Sequence, residues 1–155
     1  MTQEQFTACK SNFLATYGEI LCEDSLSAIE KANTPHAFIM LLHEFATFLR
    51  YKVLPSAEWA RKWFGSDVET LNECGVYLDQ TLALEDPQCR SLVLLGTSDV
   101  MVTLNKGVHN ITLQDESNVR LIVFGVARCT VREKGTGHAT EVYCENPKNI
   151  KIHKI

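Results

Sequence analysis

The sequence lacks the local patterns that usually accompany a metal site, a cofactor or export. No Cys-x-x-Cys pair occurs among its six cysteines, and Thr47 stands where a helical zinc motif starting at His43 would need its second histidine. The apolar runs are too short and too interrupted to span a bilayer, and the first residues include neither a basic segment nor a long apolar one. We therefore expect a cytoplasmic protein with reduced thiols, no metal and no cofactor.

An excess of positive charge is also absent. The 155 residues include 15 Lys and Arg against 19 Asp and Glu, which gives a formal net charge of -4. Binding to nucleic acid or to acidic membranes depends on cationic side chains, so we expect neither partner. Arg120, Arg128 and Arg132 fall close together in sequence, which leaves open a local basic patch.

The first half of the chain has the apolar spacing of helices. Residues 2–5 and 66–69 match the capping-box pattern that begins many helices. The strongest apolar stripe begins at Pro35, a residue suited to the first helical turn, and is expected to close at Pro55. Residues 1–86 are therefore predicted to form a unit of four or five helices.

The second half has no helical period, and its short alternating runs predict an all-β unit over residues 87–155. One candidate architecture is an antiparallel meander or sandwich, with hairpin turns at residues 105–107 and 134–137. The other is a short β-solenoid, in which successive turns of the chain stack. From Ile111 to Val131 the alternation continues without a break and its inward residues repeat every eight positions, which favours the solenoid and predicts two turns of a coil. The predicted class is α+β, with the helical unit packed on the β unit in one compact protein.

A family resemblance supports the solenoid. Residues 112–131, Thr-Leu-Gln-Asp-Glu-Ser-Asn-Val-Arg-Leu-Ile-Val-Phe-Gly-Val-Ala-Arg-Cys-Thr-Val, resemble the short-repeat solenoid segments of proteins from Bacteroides-type bacteria and their phages and mobile elements. Residues 61–65 and 74–79 look like the linker that often precedes such segments. The inward residues Leu121 and Val123 are larger than the family pattern has, and the period is lost after Glu133. The resemblance implies a shape and a source, and no activity.

Two groups of polar residues in the β unit are candidate sites. Cys129, His138, Cys144 and His153 are of the type that binds zinc, but no two of them have the close spacing of a zinc knuckle. Buried thiols and surface histidines are the favoured interpretation.

Turn chemistry explains the other polar features. Asp115 and Ser117, which share the parity of the inward residues, are expected to bind turn amides at a corner rather than to form a catalytic pair. Residues 135–137, Gly-Thr-Gly, lack the spacing and the following helix of a phosphate-binding loop, and are expected to be either a hairpin loop or a corner of the coil.

The best candidate for a binding surface is apolar. Ile122, Phe124 and Val126 occupy outward positions that a sheet with one buried face would fill with polar residues. Either the helical unit packs against this face, which is favoured, or the face binds a partner or a second copy. Trp59 and Trp63 form a second candidate surface, although their helical spacing favours the core.

The leading functional hypothesis is therefore a non-enzymatic protein-interaction module of bacterial or mobile-element origin, of the immunity, accessory or inhibitor type. Its partner would be another protein. The competing hypothesis is a small enzyme or ligand-binding domain with a pocket between the two units, built from His43, Glu44, His138 and Cys144.

Overall fold

The computed structural model describes the backbone of residues 1–48 and 56–155, and the side chains of residues 1–42 and 56–155. Its helices precede its strands, which confirms the predicted α+β class. Within the described residues, no helix combines the length and the apolar character needed to cross a membrane.

Five α-helices and one short 3-10 segment form the described part of the helical unit. They are α1 (Gln3–Tyr17), a 3-10 turn (Gly18–Ile20), α2 (Glu23–Lys31), α3 (Pro35–Phe48), α4 (Ala57–Phe64) and α5 (Val68–Glu73). The first capping box is confirmed, because the Gln5 amide donates to the Thr2 hydroxyl at 3.2 Å and the Thr2 amide donates to the Gln5 side chain at 2.8 Å. The start of α3 at Pro35 is confirmed, whereas its predicted end at Pro55 lies outside the described residues.

The second predicted capping box is wrong. The residue that precedes α5 is Asp67 rather than Ser66, and its side chain makes no hydrogen bond to the helix amides. Instead, the Asp67 carboxylate accepts hydrogen bonds from the Met1 ammonium at 3.0 Å and from the Thr70 hydroxyl at 2.8 Å. Because α5 begins at Val68, Ser66 lies one residue before the N-cap and does not occupy the position from which a capping side chain bonds the first turn.

The helical unit has an aromatic core. Phe6, Phe13, Phe38 and Phe64 are all buried, and Phe13 contacts Phe38 edge to face with 5.4 Å between the ring centroids. Trp59 packs into the same group, with its ring 6.0 Å from that of Phe13. Large aromatic side chains dominate the buried apolar area of such a small bundle and thereby fix how its helices pack.

The β unit is a β-solenoid of about four turns. Its strands are β1 (Val76–Leu78), β2 (Thr81–Glu85), β3 (Ser91–Leu95), β4 (Asp99–Leu104), β5 (Val108–Leu113), β6 (Asn118–Val123), β7 (Arg128–Glu133), β8 (His138–Cys144) and β9 (Ile150–Lys154). The odd-numbered strands form one sheet and the even-numbered strands form another, and every pairing is parallel. Each turn thus takes one strand from each sheet. Parallel pairing excludes the meander, so the predicted hairpins at residues 105–107 and 134–137 are corners of the coil instead.

The eight-residue step is wrong as a stacking period. Ile111 pairs with Val131, about twenty residues further along, whereas Val119 belongs to the facing sheet and pairs with Val100. A short corner joins the six-residue strands β5 and β6, so the chain crosses to the facing sheet. The odd-numbered residues point inward in both strands. Residues 111–131 therefore make about one turn of the coil rather than two.

The inward positions of both sheets form one core, as the alternation predicts. Within the segment from residue 111 to residue 131, the buried inward residues are Ile111, Leu113, Val119, Leu121, Val123, Ala127, Cys129 and Val131. The first two strands extend this core, because β1 pairs with β3 and β2 pairs with β4. The compact unit that contains the solenoid comprises Ser56–Glu58 and Gly75–Ile155.

Candidate functional site

The outward apolar residues of the sequence prediction lie at the corner between β6 and β7. This corner is held by two backbone hydrogen bonds, from the Phe124 amide to the Leu104 carbonyl at 2.9 Å and from the Ala127 amide to the Phe124 carbonyl at 3.1 Å. Gly125 takes the left-handed conformation that the turn requires, with a φ of 54°. The short turn leaves the side chains on either side of the glycine directed outward.

Two of these side chains are well exposed. Phe124 is 40% exposed and Val126 is 81% exposed. The Phe124 ring contacts the ring of Tyr143 with 5.8 Å between centroids, and Tyr143 is the in-register neighbour of Ile122 on the next strand. We refer to Ile122, Phe124, Val126 and Tyr143 as the apolar corner.

The fold itself does not require an aromatic residue here. Leu104, Val123 and Cys144 occupy one row of the sheet, and the residues that follow them are Asn105, Phe124 and Glu145. The corner position is thus polar in the turns on either side. The repeating corner of the coil therefore does not require the exposed ring of Phe124.

Tyr143 is the member of the apolar corner that sequence reasoning missed. It lies about twenty residues after Ile122, so only the true stacking period would have placed the two side by side. Thr140, which is the extra residue of a β-bulge in β8, shifts the register by one position and would have obscured the match even then.

The two tryptophans differ in their surroundings. Trp59 is 9% exposed, and its indole N–H donates to the Asn12 side-chain carbonyl at 3.0 Å. Trp63 is half-buried, with the Lys62 ammonium 5.0 Å from its ring centroid. Trp59 thus lies in the helical core. That either tryptophan binds a partner stays a prediction. That the helical unit packs against residues 122–126 also stays a prediction.

Asp115 and Ser117 have the turn role that the sequence predicts. The Ser117 hydroxyl accepts a hydrogen bond from the Gln114 amide at 3.0 Å, and the Asp115 carboxylate accepts one from the Gly96 amide of the preceding turn at 3.1 Å. They do not face the same way, however, because Ser117 is buried and Asp115 is exposed. The left-handed conformation of Asp115, with a φ of 58°, breaks the alternation at the corner.

The Gly-Thr-Gly segment, residues 135–137, forms the corner one turn after the corner of Asp115. The Thr136 hydroxyl donates to the Asp115 carbonyl, which ties this corner to the one before it. A Cβ added to Gly137 would lie 3.0 Å from the backbone carbon and the Cβ of Leu113. The close approach of two chain segments therefore accounts for a small residue at position 137, in agreement with the predicted corner.

The four potential zinc ligands do not converge. Cys129 is buried, and burial raises the pKa of its thiol to about 12, with a smaller contribution from the nearby Cys144. His138 and His153 are exposed and belong to strands of different sheets. Across the described residues, no group of three or more His, Cys, Asp or Glu side chains could hold a metal ion.

The residues of the competing enzyme hypothesis are also separated where the structure describes them. His138 begins β8 beside the outward residue Asn118, whereas Cys144 ends β8 beside the inward residue Val123. The side chains of His43 and Glu44 lie outside the described residues.

The three arginines that left a local basic patch open do not lie together. Arg120 is on β6 and lies 3.6 Å from the Asp99 carboxylate, whereas Arg128 and Arg132 are on β7, in the other sheet. The three side chains therefore do not form one patch. The register instead places Arg132 next to His153.

A scan against models of protein families, a search of curated proteins and a search of solved structures each find no match to the chain.

Proposed function

We propose that this chain is a non-enzymatic interaction protein that binds another protein through the apolar corner. The observation that carries the proposal is the exposed Phe124 ring at a position that is polar in the turns on both sides. Aromatic side chains are enriched at the centres of protein interfaces because they bury a large area at a low entropic cost.

The composition of the apolar corner agrees with this role. Phe124 and Tyr143 already contact each other, so the partner would meet a partly ordered platform rather than two mobile rings. Val126 projects beside them with most of its surface in solvent. A partner with an apolar side chain and a polar rim fits this surface best, and we propose a role of the immunity, accessory or inhibitor type in a bacterium or a mobile element.

Site-specific photo-crosslinking in the native host tests the proposal. A photoreactive phenylalanine analogue at position 124 is expected to give a discrete crosslinked product, because the ring would lie in the interface. The same analogue in place of Val108, which is 53% exposed on the outer face of β5, is the matched control and should give no such product.

Affinity capture then measures the energetic contribution. The Val126→Asp variant should bind the partner identified by crosslinking at least about tenfold more weakly than the wild type does, because the substitution places a charge in the desolvated contact. Val108→Asp should leave binding unchanged. Equal labelling at the two positions, or a partner that tolerates Val126→Asp, would show that the apolar corner is not the binding surface.

A further inference from the structure

The turn formed by β8 and β9 has, in each sheet, a strand edge that no other described strand covers. Within the described residues, β8 pairs only with β6 and β9 pairs only with β7, so each strand has a neighbour on one side. An edge strand presents a row of backbone N–H and C=O groups that can pair with another chain. We call the free edges of β8 and β9 the open edge.

Side chains that are interior elsewhere in the coil are exposed at this edge. Val142 continues the row of Leu121 and Ile152 continues the row of Val131, yet Val142 is 42% exposed and Ile152 is 44% exposed. Leu121 and Val131 are fully buried because a turn lies on each side of them. The open edge thus exposes an apolar stripe that one further layer of chain would cover.

The two strands of the open edge carry opposite charges. A 3-10 turn (Pro147–Asn149) precedes β9. The basic residues of this turn and of β9 are Lys148, Lys151, His153 and Lys154, and the two segments contain no acidic residue. β8 and the residue after it contain Glu141 and Glu145 and no Lys or Arg. Lysine on an edge strand disfavours its pairing with a like-charged strand, so an acidic strand is the better partner for β9.

We propose that two copies of the chain associate through their open edges, with β9 of one copy beside β8 of the other. The chain reverses between β8 and β9, so these two strands run in opposite directions. A two-fold axis parallel to the strands then sets each β9 antiparallel to the β8 of the other copy and creates two equivalent junctions. A second copy is the occupant that the charges favour, because one surface supplies both members of each junction.

This arrangement uses every feature of the open edge. It covers Val142 and Ile152, pairs the free backbone groups and brings Lys151 into the same junction as Glu141. The other two-fold arrangement would place β9 against β9, with Lys151 and Lys154 of both copies close together. Because two strand edges form a smaller surface than a standard interface of about 800 Å² per partner, we expect a dissociation constant in the micromolar range.

Sedimentation velocity of the 155-residue chain between about 5 and 200 µM tests the association. A monomer–dimer equilibrium is expected. Ile152→Lys and Val142→Lys should each weaken it by at least about tenfold, because either variant leaves a lysine facing the apolar stripe. Val108→Lys adds the same charge on the outer face of β5, and dimerisation should be unchanged. Circular dichroism confirms that each variant is folded.

Charge exchange tests which strands meet. Lys151→Glu and Glu141→Lys should each weaken the dimer, whereas an equimolar mixture of the two variants should dimerise as well as the wild type, since both junctions then join opposite charges. Single variants that dimerise as tightly as the wild type would exclude the β8–β9 junction. A wild-type chain that is monomeric throughout the range, or a dimer insensitive to Ile152→Lys, would overturn the proposal. Val126→Asp should not affect the dimer, so this result is separate from the proposed partner binding.

Discussion

The carboxylate of Asp115 accepts a hydrogen bond from the amide of Gly96, one turn earlier in the coil, at 3.1 Å. The bond joins two residues that both have positive φ, 58° at Asp115 and 65° at Gly96. A residue at position 115 must therefore tolerate a left-handed backbone and also supply an acceptor to the turn below it. Few side chains besides aspartate and asparagine can do both.

This relationship predicts an order of stability among substitutions at position 115. Asp115→Asn should be nearly neutral, and Asp115→Gly should lose the bond without backbone strain. Asp115→Ala should lose the bond and add strain, at a cost of about 1–2 kcal/mol. Urea unfolding followed by circular dichroism measures the three differences. If alanine were tolerated as well as asparagine, the bond between the turns would not contribute to stability.

The core of the β unit gives a second prediction. Leu121 is fully buried, so Leu121→Ala should cost about 2–5 kcal/mol and Leu121→Asp should unfold the β unit, because it buries an unpaired charge. Thr103→Asp, on the outer face of the adjacent strand, is the control and should cost less than about 1 kcal/mol. An unchanged melting temperature for Leu121→Asp would mean that the inward and outward faces had been exchanged.

Alanine substitutions at two glycines with positive φ distinguish the stability cost of backbone strain from that of steric contact. A Cβ on Gly125 would have only the Asn105 carbonyl within reach, at 3.9 Å, so Gly125→Ala should cost about 1 kcal/mol of strain. A Cβ on Gly75 would lie 2.7 Å from the Ser91 carbonyl oxygen and 2.8 Å from the Cys89 Cβ. Gly75→Ala should therefore cost at least about twice as much. Thermal melts compare the pair, and equal losses would contradict the steric argument.

The ion pair of the helical unit predicts a response to acid. The Met1 ammonium is the main cause that lowers the pKa of Asp67, so the stabilisation is fully present above the ordinary pKa near 3.8 and is lost as the pH falls through the lowered value. We expect the melting temperature of the wild type to fall further than that of Asp67→Asn between about pH 5 and pH 2.5. Parallel curves for the two proteins would rule out the linkage.

Thiol labelling provides a prediction about reactivity. Cys22 is exposed, and its pKa is lowered mainly by a hydrogen bond with the Ser25 hydroxyl, 3.1 Å away. Burial raises the pKa of Cys9 and of Cys129 to about 12. Ellman's reagent should therefore react first at Cys22, and Cys9 and Cys129 should react only on unfolding. Cys22→Ser should remove the fast phase and Ser25→Ala should slow it. A fast phase that survives Cys22→Ser would assign it to another thiol.

The sequence was sufficient to predict which side chains form the core of the coil, but not which strands stack. Inward residues such as Ile111 and Leu121 are recognised because they occupy every second position. This alternation is the same whether the next strand lies in the facing sheet or stacks on the previous strand in the same sheet. The stacking period depends on corner geometry and on bonds such as that from Gly96 to Asp115, which leave no periodic signal in side-chain type.

The sequence predicts only part of the candidate site, because the stacking register is again missing from it. Phe124 and Val126 were recognised because apolar residues occupied outward positions, and this signal is local. Tyr143 could not be added without the register between β6 and β8. Likewise, no local pattern indicates that Asp67 meets Met1, since the two are far apart in sequence and adjacent only after folding.

The constant spacing between stacked strands has a kinetic consequence. Each strand of the coil meets its partner about twenty residues away, so every added turn closes a loop of similar length at a similar cost in chain entropy. Folding of the β unit can thus begin at any adjacent pair of turns and extend in either direction, as in a one-dimensional array.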